Sequence, residues 1–274
     1  MVSLPNCKIN LGLNITEKRE DGFHNLETCF IPVTLKDALE IIPSSNGKFQ
    51  FTNVGTTIVG DINKNLCVTA YQLLKDAFPG KVSPVHILLN KQIPMGAGLG
   101  GGSADGAFTL LMLNEYFNLK LTEAQLIEFA LILGSDCPFF IINAPSIGMG
   151  RGELLDRVPL NLSGYKVLLV NPGIHIATKW AFEQIKPARK EKSIKDIILQ
   201  PISTWKKELI NDFEGPISRE HPAIDHIKRE LYAKGAVYAA MTGSGSTVFG
   251  IFGQIEESLF SFPKNYMVRI AEVL

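Results

Sequence analysis

The chain has 274 residues, enough for one large domain or two modest ones, and 46% of them are hydrophobic, which supplies a sizeable core. Lys plus Arg and Asp plus Glu balance at 27 each, so no global field draws in nucleic acid or an anionic membrane, and no run approaches the ~20 apolar residues of a membrane span. Cys7, Cys29, Cys67 and Cys137 are scattered without a C-x-x-C pair, and Met1–Asn6 lacks a basic leader followed by an apolar run; both point to reduced, packed thiols in a cytoplasmic protein.

From Cys7 to Thr16 the residues alternate, with Cys7, Ile9, Leu11, Leu13 and Ile15 on one face and Lys8, Asn10, Gly12, Asn14 and Thr16 on the other. Period two predicts a strand with one buried face. Short strands are expected at Glu27–Pro32, Ala38–Ile42 and Lys48–Phe51, then a helix over Leu66–Ala77 that stops at Phe78-Pro79-Gly80. Val85–Leu89 reads as a strand, Pro94 to Ser103 as a glycine loop, and Ala104–Tyr116 as a helix apolar nearly all round. Thr122 and Gln125 form a capping box for a helix to about Leu133, which Gly134-Ser135-Asp136-Cys137-Pro138 ends. Strands are expected to resume at Phe139–Ile142.

The composition shifts near Asp156–Gly164, where the turn-rich Pro159–Gly164 follows, and a domain boundary is placed there, giving units 1–158 and 159–274. The second half predicts a strand at Lys166–Asn171, a helix near Thr178–Ile185 and a mobile charged segment at Lys186–Lys192. A helix over Pro222–Lys234 carries Ile224, Ile227 and Leu231 on one face, and strands at Val237–Thr242 and Thr247–Phe252 flank a second glycine turn, Gly243-Ser244-Gly245.

Five of the seven residues from Gly96 to Gly102 are glycine. Such a stretch is costly in conformational entropy unless something needs the backbone bare, and a loop entering a helix N-terminus offers unpaired N–H donors to a phosphate. Gly96, Gly98 and Gly101 also satisfy G-x-G-x-x-G, but the acidic residue a dinucleotide fold places at the end of the next strand is missing, since Glu123 sits in a helix cap. Neither glycine segment carries the G-K-[ST] of a Walker loop, and the protein-kinase motifs H-R-D and D-F-G are absent.

Three segments resemble the GHMP superfamily of small-molecule kinases: Pro5-Asn6-Cys7-Lys8-Ile9-Asn10-Leu11, Pro94 to Ala107, and Thr242-Gly243-Ser244-Gly245-Ser246. Within it, Arg19-Glu20-Asp21-Gly22-Phe23-His24-Asn25-Leu26 is similar to the R-x-D-G-[YF]-H-x-L signature of the 4-diphosphocytidyl-2-C-methyl-D-erythritol kinases, which serve the non-mevalonate route to isoprenoid precursors. Asn171-Pro172-Gly173, followed by Thr178 and Phe182, resembles that family's substrate wall. The resemblance implies an α+β, two-domain GHMP kinase fold. Its N-terminal ATP-binding domain is of the ribosomal protein S5 domain 2 type, its C-terminal substrate-binding domain is ferredoxin-like, and the site lies in the cleft between them. Phe23 stands where many members have tyrosine and Asp105 where asparagine is frequent, which bears on substrate and metal geometry.

The resemblance also distributes roles. Asp136 is the expected base for the acceptor hydroxyl, Lys8 its partner, and Asn10 a holder of the substrate diol. His24, Phe23 and Phe182 are expected to hold the cytosine, and Gly243, Ser244 and Gly245 to close on the substrate diphosphate. ATP is expected along Pro94, Met95, Gly96, Ala97, Gly98, Leu99, Gly100, Gly101, Gly102, Ser103 and Ala104, with Asn65 and Lys91 lining the adenine or phosphate region and Ser103 a weak ligand of Mg2+. The expected activity is phosphorylation of the 2-hydroxyl of a cytidine diphosphate-bearing alcohol by ATP, in a monomer or weak homodimer without nucleic acid or membrane. A mevalonate, homoserine or sugar kinase, a non-catalytic nucleotide-binding regulator and a nicotinamide oxidoreductase are the alternatives.

Overall fold

The computed structural model describes residues 1–57 and 61–274. In chain order the strands are β1 (Val2–Ser3), β2 (Asn6–Lys18), β3 (His24–Lys36), β4 (Ala38–Pro43), β5 (Gln50–Gly55), β6 (Val85–Lys91), β7 (Ser146–Met149), β8 (Leu154–Arg157), β9 (Lys166–Asn171), β10 (Tyr238–Met241), β11 (Val248–Phe252) and β12 (Met267–Glu272). The helices are α1 (Leu66–Ala77), α2 (Gly101–Tyr116), α3 (Glu123–Leu133), α4 (Cys137–Ile142), α5 (Thr178–Glu183), α6 (Ile194–Ile198), α7 (Ile202–Glu208), α8 (Glu214–Glu220) and α9 (Pro222–Ala233). Among the described residues no helix is long and apolar enough to cross a membrane. All four cysteines are buried.

The chain divides into two compact units, Met1–Cys7 with Leu35–Met95 and Gly100–Asn143, and Lys8–Thr34 with Gly96–Leu99 and Ala144–Leu274. This interleaving departs from a single cut at residue 158. Its cause is strand pairing: β2 and β3 join β7 and β8 in one sheet, which carries early residues into the later unit.

In the first unit the sheet order is β1-β4-β6-β5, with β5 and β6 parallel and the other pairs antiparallel. Helix α1 starts at the Asn65 cap, whose side chain accepts from the Cys67 amide, and packs on α2. The two approach closely because residue 106 is glycine: a methyl group there would lie 2.8 Å from Leu66 Cβ. The Thr122–Gln125 capping box forms as the sequence predicts. The expected strand at Phe139–Ile142 is instead α4, because a short apolar run does not fix its own period. Pro138 in its first turn favours the helix, and Asn143 in the left-handed region closes it.

In the second unit the antiparallel sheet β10-β11-β9-β12 packs α8 and α9 against a core of Leu168, Val170, Ile217, Ile224, Ile227 and Leu231, to which Leu13 and Ile15 also belong. Strand β2 differs from expectation in having both faces buried from Asn6 to Ile15. Its polar face is covered because Leu209 and Ile194 close over Gly12 and the Thr242 hydroxyl meets Asn10. The segment 186–192 is irregular and largely exposed. The Ala188 amide donates to the Ile15 carbonyl, and Lys190 and Lys192 pair with Asp212 and Glu208.

Candidate functional site

Lys8 and Asn10 share one face of β2, two residues apart, and that spacing brings their side chains together. The Lys8 ammonium, on a side chain buried to 3% exposure, donates to Asn10 Oδ1 at 2.7 Å and to the Gly98 carbonyl at 3.0 Å. Asn10 Nδ2 donates to Thr28 Oγ1 at 2.9 Å, and the Thr28 hydroxyl donates to the Gly12 carbonyl at 2.6 Å. The Thr242 hydroxyl accepts from the Asn10 amide at 3.0 Å and reaches Asn10 Oδ1 and the Gly98 carbonyl. A buried amine held on several acceptors loses its freedom to wander and keeps its charge where the fold puts it. The side-chain amide of Asn10, held by the hydroxyls of Thr28 and Thr242, therefore aims the ammonium.

Residues 96–99 reach this network as bare backbone. Gly96, Gly98 and Gly100 have φ of 62°, 77° and 69°, values that glycine adopts without strain. A methyl group on Gly98 would stand 2.1 Å from the Thr242 carbonyl oxygen, and one on Gly243 would stand 3.2 Å from Gly98 Cα. The two glycine segments thus meet main chain to main chain. Asn211 holds the second of them, donating through Nδ2 to the Met241 and Gly243 carbonyls at 2.7 and 2.9 Å. Gly245 cannot carry a side chain because Met241 and Ile176 fill the space; Ser244 lies at the tip, beside the Thr178 hydroxyl at 3.3 Å. Within the loop, Ala97 and Leu99 are buried packing residues and their carbonyls accept from the Thr247 and Lys8 amides, whereas Met95 and Gly96 are exposed and Pro94 half-buried. Ala97 and Leu99 can offer a ligand only their backbone.

In the first unit, α2 opens with Gly100 as its cap and Gly101, Gly102 and Ser103 in its first turn; Gly102 is exposed and Ala104 is buried. The Ser103 hydroxyl interacts with the Cys137 thiol, which burial pushes up to about 12. Cys137 follows Asp136, so the starts of α2 and α4 lie side by side. Asp136 is half-buried at the cap of α4 and does not use its side chain as a cap.

Lys91 is not where a nucleotide ligand is expected. It is 1% exposed, and its ammonium is clamped between Asp37 Oδ2 and Asp105 Oδ2, the latter at 2.8 Å. A methyl group on Gly101 would come within 2.9 Å of that ammonium, so Lys91 lies beneath the first turn of α2 and braces it. Burial would lower the Lys91 ammonium, but Asp105 and Asp37 outweigh that and hold it above its usual range. Burial pushes the Asp105 carboxyl up to about 8, against the pull of Lys91, and its Oδ1 has no hydrogen-bond partner. Asp105 is thus turned inward, away from the role of an open Mg2+ ligand. Asn65 is half-buried as the cap of α1.

The Arg19–Leu26 signature is a self-braced turn. Arg19 pairs with Asp21 at 2.7 Å, Asp21 Oδ1 accepts from the Phe23 amide, and the Arg19 amide donates to the Phe23 carbonyl at 2.8 Å. The bond from Arg19, and then that from the Phe23 amide, hold the Asp21 carboxyl below its usual range. The turn presents His24, whose ring stacks on Phe182 with centroids 4.8 Å apart and planes 18° apart; Phe213 meets the Phe182 ring edge-on at 4.9 Å. Burial, then the charge of Lys18, lowers the His24 pKa, so its ring is neutral at neutral pH. Phe23 does not join this stack. It is 52% exposed, and the Arg151 guanidinium lies 4.9 Å from its ring centre. Arg151, Thr28, Asn211, Asp37 and Thr242 as a brace escaped the sequence reading. Only Thr242, flanking a glycine turn, carried a local signal.

Two family models match the chain: the GHMP kinases N terminal domain over residues 65–144 and the GHMP kinases C terminal domain over residues 196–265. The chain belongs to the GHMP kinases. It is an ATP-dependent small-molecule kinase with their two-domain fold of mixed helices and strands. A Bacteroides fragilis protein named 4-diphosphocytidyl-2-C-methyl-D-erythritol kinase is 52% identical over 94% of this chain and 94% of its own. A Cytophaga hutchinsonii protein of the same name is 48% identical over 99% of each chain. A crystal structure of 4-(cytidine 5'-diphospho)-2C-methyl-D-erythritol kinase superposes with a TM-score of 0.78 at 32% identity, covering 91% of this chain and 89% of that one. The Methanococcus jannaschii mevalonate kinase superposes with a TM-score of 0.75 at 14% identity, covering 100% and 98%, which is a likeness of fold alone. The GHMP kinase models take in the glycine loop, Asp136 and the 242–246 turn; Lys8, Asn10, the Arg19–Leu26 turn and Phe182 lie outside both.

Proposed function

We propose that this GHMP kinase transfers the terminal phosphoryl group of ATP to the 2-hydroxyl of 4-diphosphocytidyl-2-C-methyl-D-erythritol, releasing ADP. The observation that carries the reading is the stacked pair of a neutral His24 and Phe182. A neutral imidazole has one ring donor and one ring acceptor, which suits the mixed donor and acceptor edge of cytosine, and Phe182 extends the flat surface a base stacks on. A kinase for mevalonate, homoserine or a sugar has no use for such a platform.

The reaction needs a positioned hydroxyl, a group to accept its proton and cations around the moving phosphate. Asp136 takes the proton as the hydroxyl oxygen bonds to the terminal phosphorus and the bond to the ADP oxygen breaks. The aimed ammonium of Lys8 stabilises negative charge on the oxygens involved, and Asn10 holds the acceptor diol. Bare amides of the loop from Gly96 to Gly102 and the start of α2 bind the nucleotide phosphates. Among the described residues no three His, Cys, Asp or Glu side chains gather into a metal cage. Mg2+ held chiefly by the nucleotide phosphates would need only one or two protein oxygens, and the Ser103 hydroxyl in the first turn of α2 would supply one. Bound there, the ion supplies charge neutralisation for the phosphates.

Asp136→Asn is expected to lower kcat by roughly 10²–10⁴-fold with ATP affinity little changed; an unaltered rate removes Asp136 from the mechanism. The substrate is tested by ADP release across candidate alcohols with and without the cytidyl group. Equal activity on the plain alcohol overturns the assignment.

A further inference from the structure

His175 has no part in the scheme above, yet its ring stands at the entrance to the glycine loop. It follows β9 in the segment 171–178, which is pinned on both sides of it. The Ser246 hydroxyl donates to the Ile174 carbonyl at 2.6 Å, Ile176 is buried under Gly245, and Asn171 Nδ2 bonds Thr247 Oγ1 at 2.9 Å. Between these anchors His175 is exposed, and among the described residues nothing hydrogen-bonds its ring. Its Nδ1 and Cε1 face Gly96, where a methyl group would sit 3.4 and 3.7 Å away. On the same segment, Thr178 meets Ser244 at the tip of the second glycine turn.

A fixed backbone, an uncommitted imidazole and a bare glycine with exposed backbone together make one side of a phosphate site. From this juxtaposition we infer that His175 is a further binding residue, whose ring N–H donates to a phosphate oxygen held against Gly96, with Ser244 and Thr178 as neighbouring hydroxyl donors. The inference rests on the kinase reading, because it presumes that phosphates occupy the loop. Two phosphates of that reading have the right chemistry, those of the ATP donor and the diphosphate of the acceptor. A methyl group at residue 96 would stand in van der Waals contact with the imidazole, on the side where the phosphate oxygen is placed.

The test is calorimetric titration of wild type, His175→Ala and His175→Gln with the β,γ-imido analogue of ATP, with CDP, and with cytidine as a phosphate-free control. The expected result is a loss of about tenfold in affinity for one phosphate ligand in the alanine variant, the size of one charge-assisted hydrogen bond. The glutamine variant, which keeps an N–H donor, recovers part of it, and cytidine binding is unchanged. Loss confined to the ATP analogue assigns the donor phosphates, and loss confined to CDP assigns the acceptor diphosphate. Unchanged affinity for both in His175→Ala, while wild type binds both, overturns the inference and leaves the kinase reading intact. An equal loss for cytidine also overturns it, since that is a packing effect. Wild type that binds neither nucleotide overturns both.

Discussion

On the function proposed above, His24 carries a specificity that the superfamily fold does not. Its ring is stacked face to face on Phe182 and kept neutral by burial and by Lys18, so protonation sets in only below the ordinary imidazole range. The sign follows. Affinity for CDP is expected to stay level through neutral pH and to fall as the pH drops past that lowered value, where the ring gains a second donor and loses its acceptor. Calorimetry between about pH 5 and 8 reads this directly; affinity that rises on acidification would exclude the neutral-ring picture. Phe182→Leu removes the stacking face and keeps the hydrophobic bulk, and is expected to raise KM for the cytidyl substrate about tenfold with kcat held, as a base-stacking loss of ~1–3 kcal/mol implies. At this scale the sequence was informative where spacing alone decides the neighbours, as for Lys8 and Asn10 on one strand face. It was silent where the neighbour comes from another part of the chain: nothing local in Thr28 or Asn211 announces the carbonyl or amide each one meets. Phe23 shows a related difficulty, for adjacency to His24 in sequence does not make it part of the same stack.

Helix α2 and the loop before it separate two reasons for glycine that look identical in sequence. Gly98 needs its missing side chain for packing, with φ at +77° and the Thr242 carbonyl 2.1 Å from where a methyl group would go; Gly102 has nothing within 4 Å and an ordinary helical backbone. Gly98→Ala is therefore expected to disrupt the meeting of the two glycine segments, lowering Tm and activity together. Gly102→Ala is expected to leave Tm equal or raised, because alanine is the better helix former by about 1 kcal/mol, while the KM for ATP rises because the methyl group stands where a phosphate approaches. Thermal melts paired with ATP kinetics decide the matter. A Gly102→Ala enzyme with unchanged ATP KM shows that the first turn of α2 does not contact phosphate. Elements with their own signals were legible, such as the capping box of α3 and the alternation of β2. Helix α4 was not, since Phe139-Phe140-Ile141-Ile142 suits either a buried strand or a buried helix and only the tertiary setting chooses. The second face of β2 was also hidden, because what covers it, Ile194 at the start of α6, Leu209 at the end of α7 and Thr242 after β10, comes from far along the chain.

At the scale of the molecule, the composition shift near residue 158 follows a strand pair and falls between the two family-model domains, whereas the compact units interleave along the chain. Sheet pairing of β2 and β3 with β7 and β8 sets the division, and pairing partners are not written in composition. The first unit has at its centre one ammonium and two carboxylates, all nearly inaccessible: Asp37 before β4, Lys91 ending β6 and Asp105 in α2. If both acids are ionised, one negative charge is left uncompensated in a dry site, which is strongly unfavourable. A proton retained on Asp105 makes the trio neutral, in keeping with a carboxyl pushed up to about 8 from an ordinary 3.8. Because the folded state then binds a proton that the unfolded chain releases, stability is fully present below the unfolded value. It declines as the pH rises through the window from about 4 to about 8 and is level above it. Asp105→Asn mimics the protonated acid and is expected to abolish that decline. Its advantage over wild type in urea unfolding should grow from pH 5 to pH 8 and then hold constant. An ionised Asp105 whose carboxyl Lys91 holds below the ordinary range makes a different demand, a difference between variant and wild type that is flat from pH 5 to pH 8 and changes only below about pH 4, so the slope over pH 5 to 8 identifies which charge state braces the start of α2.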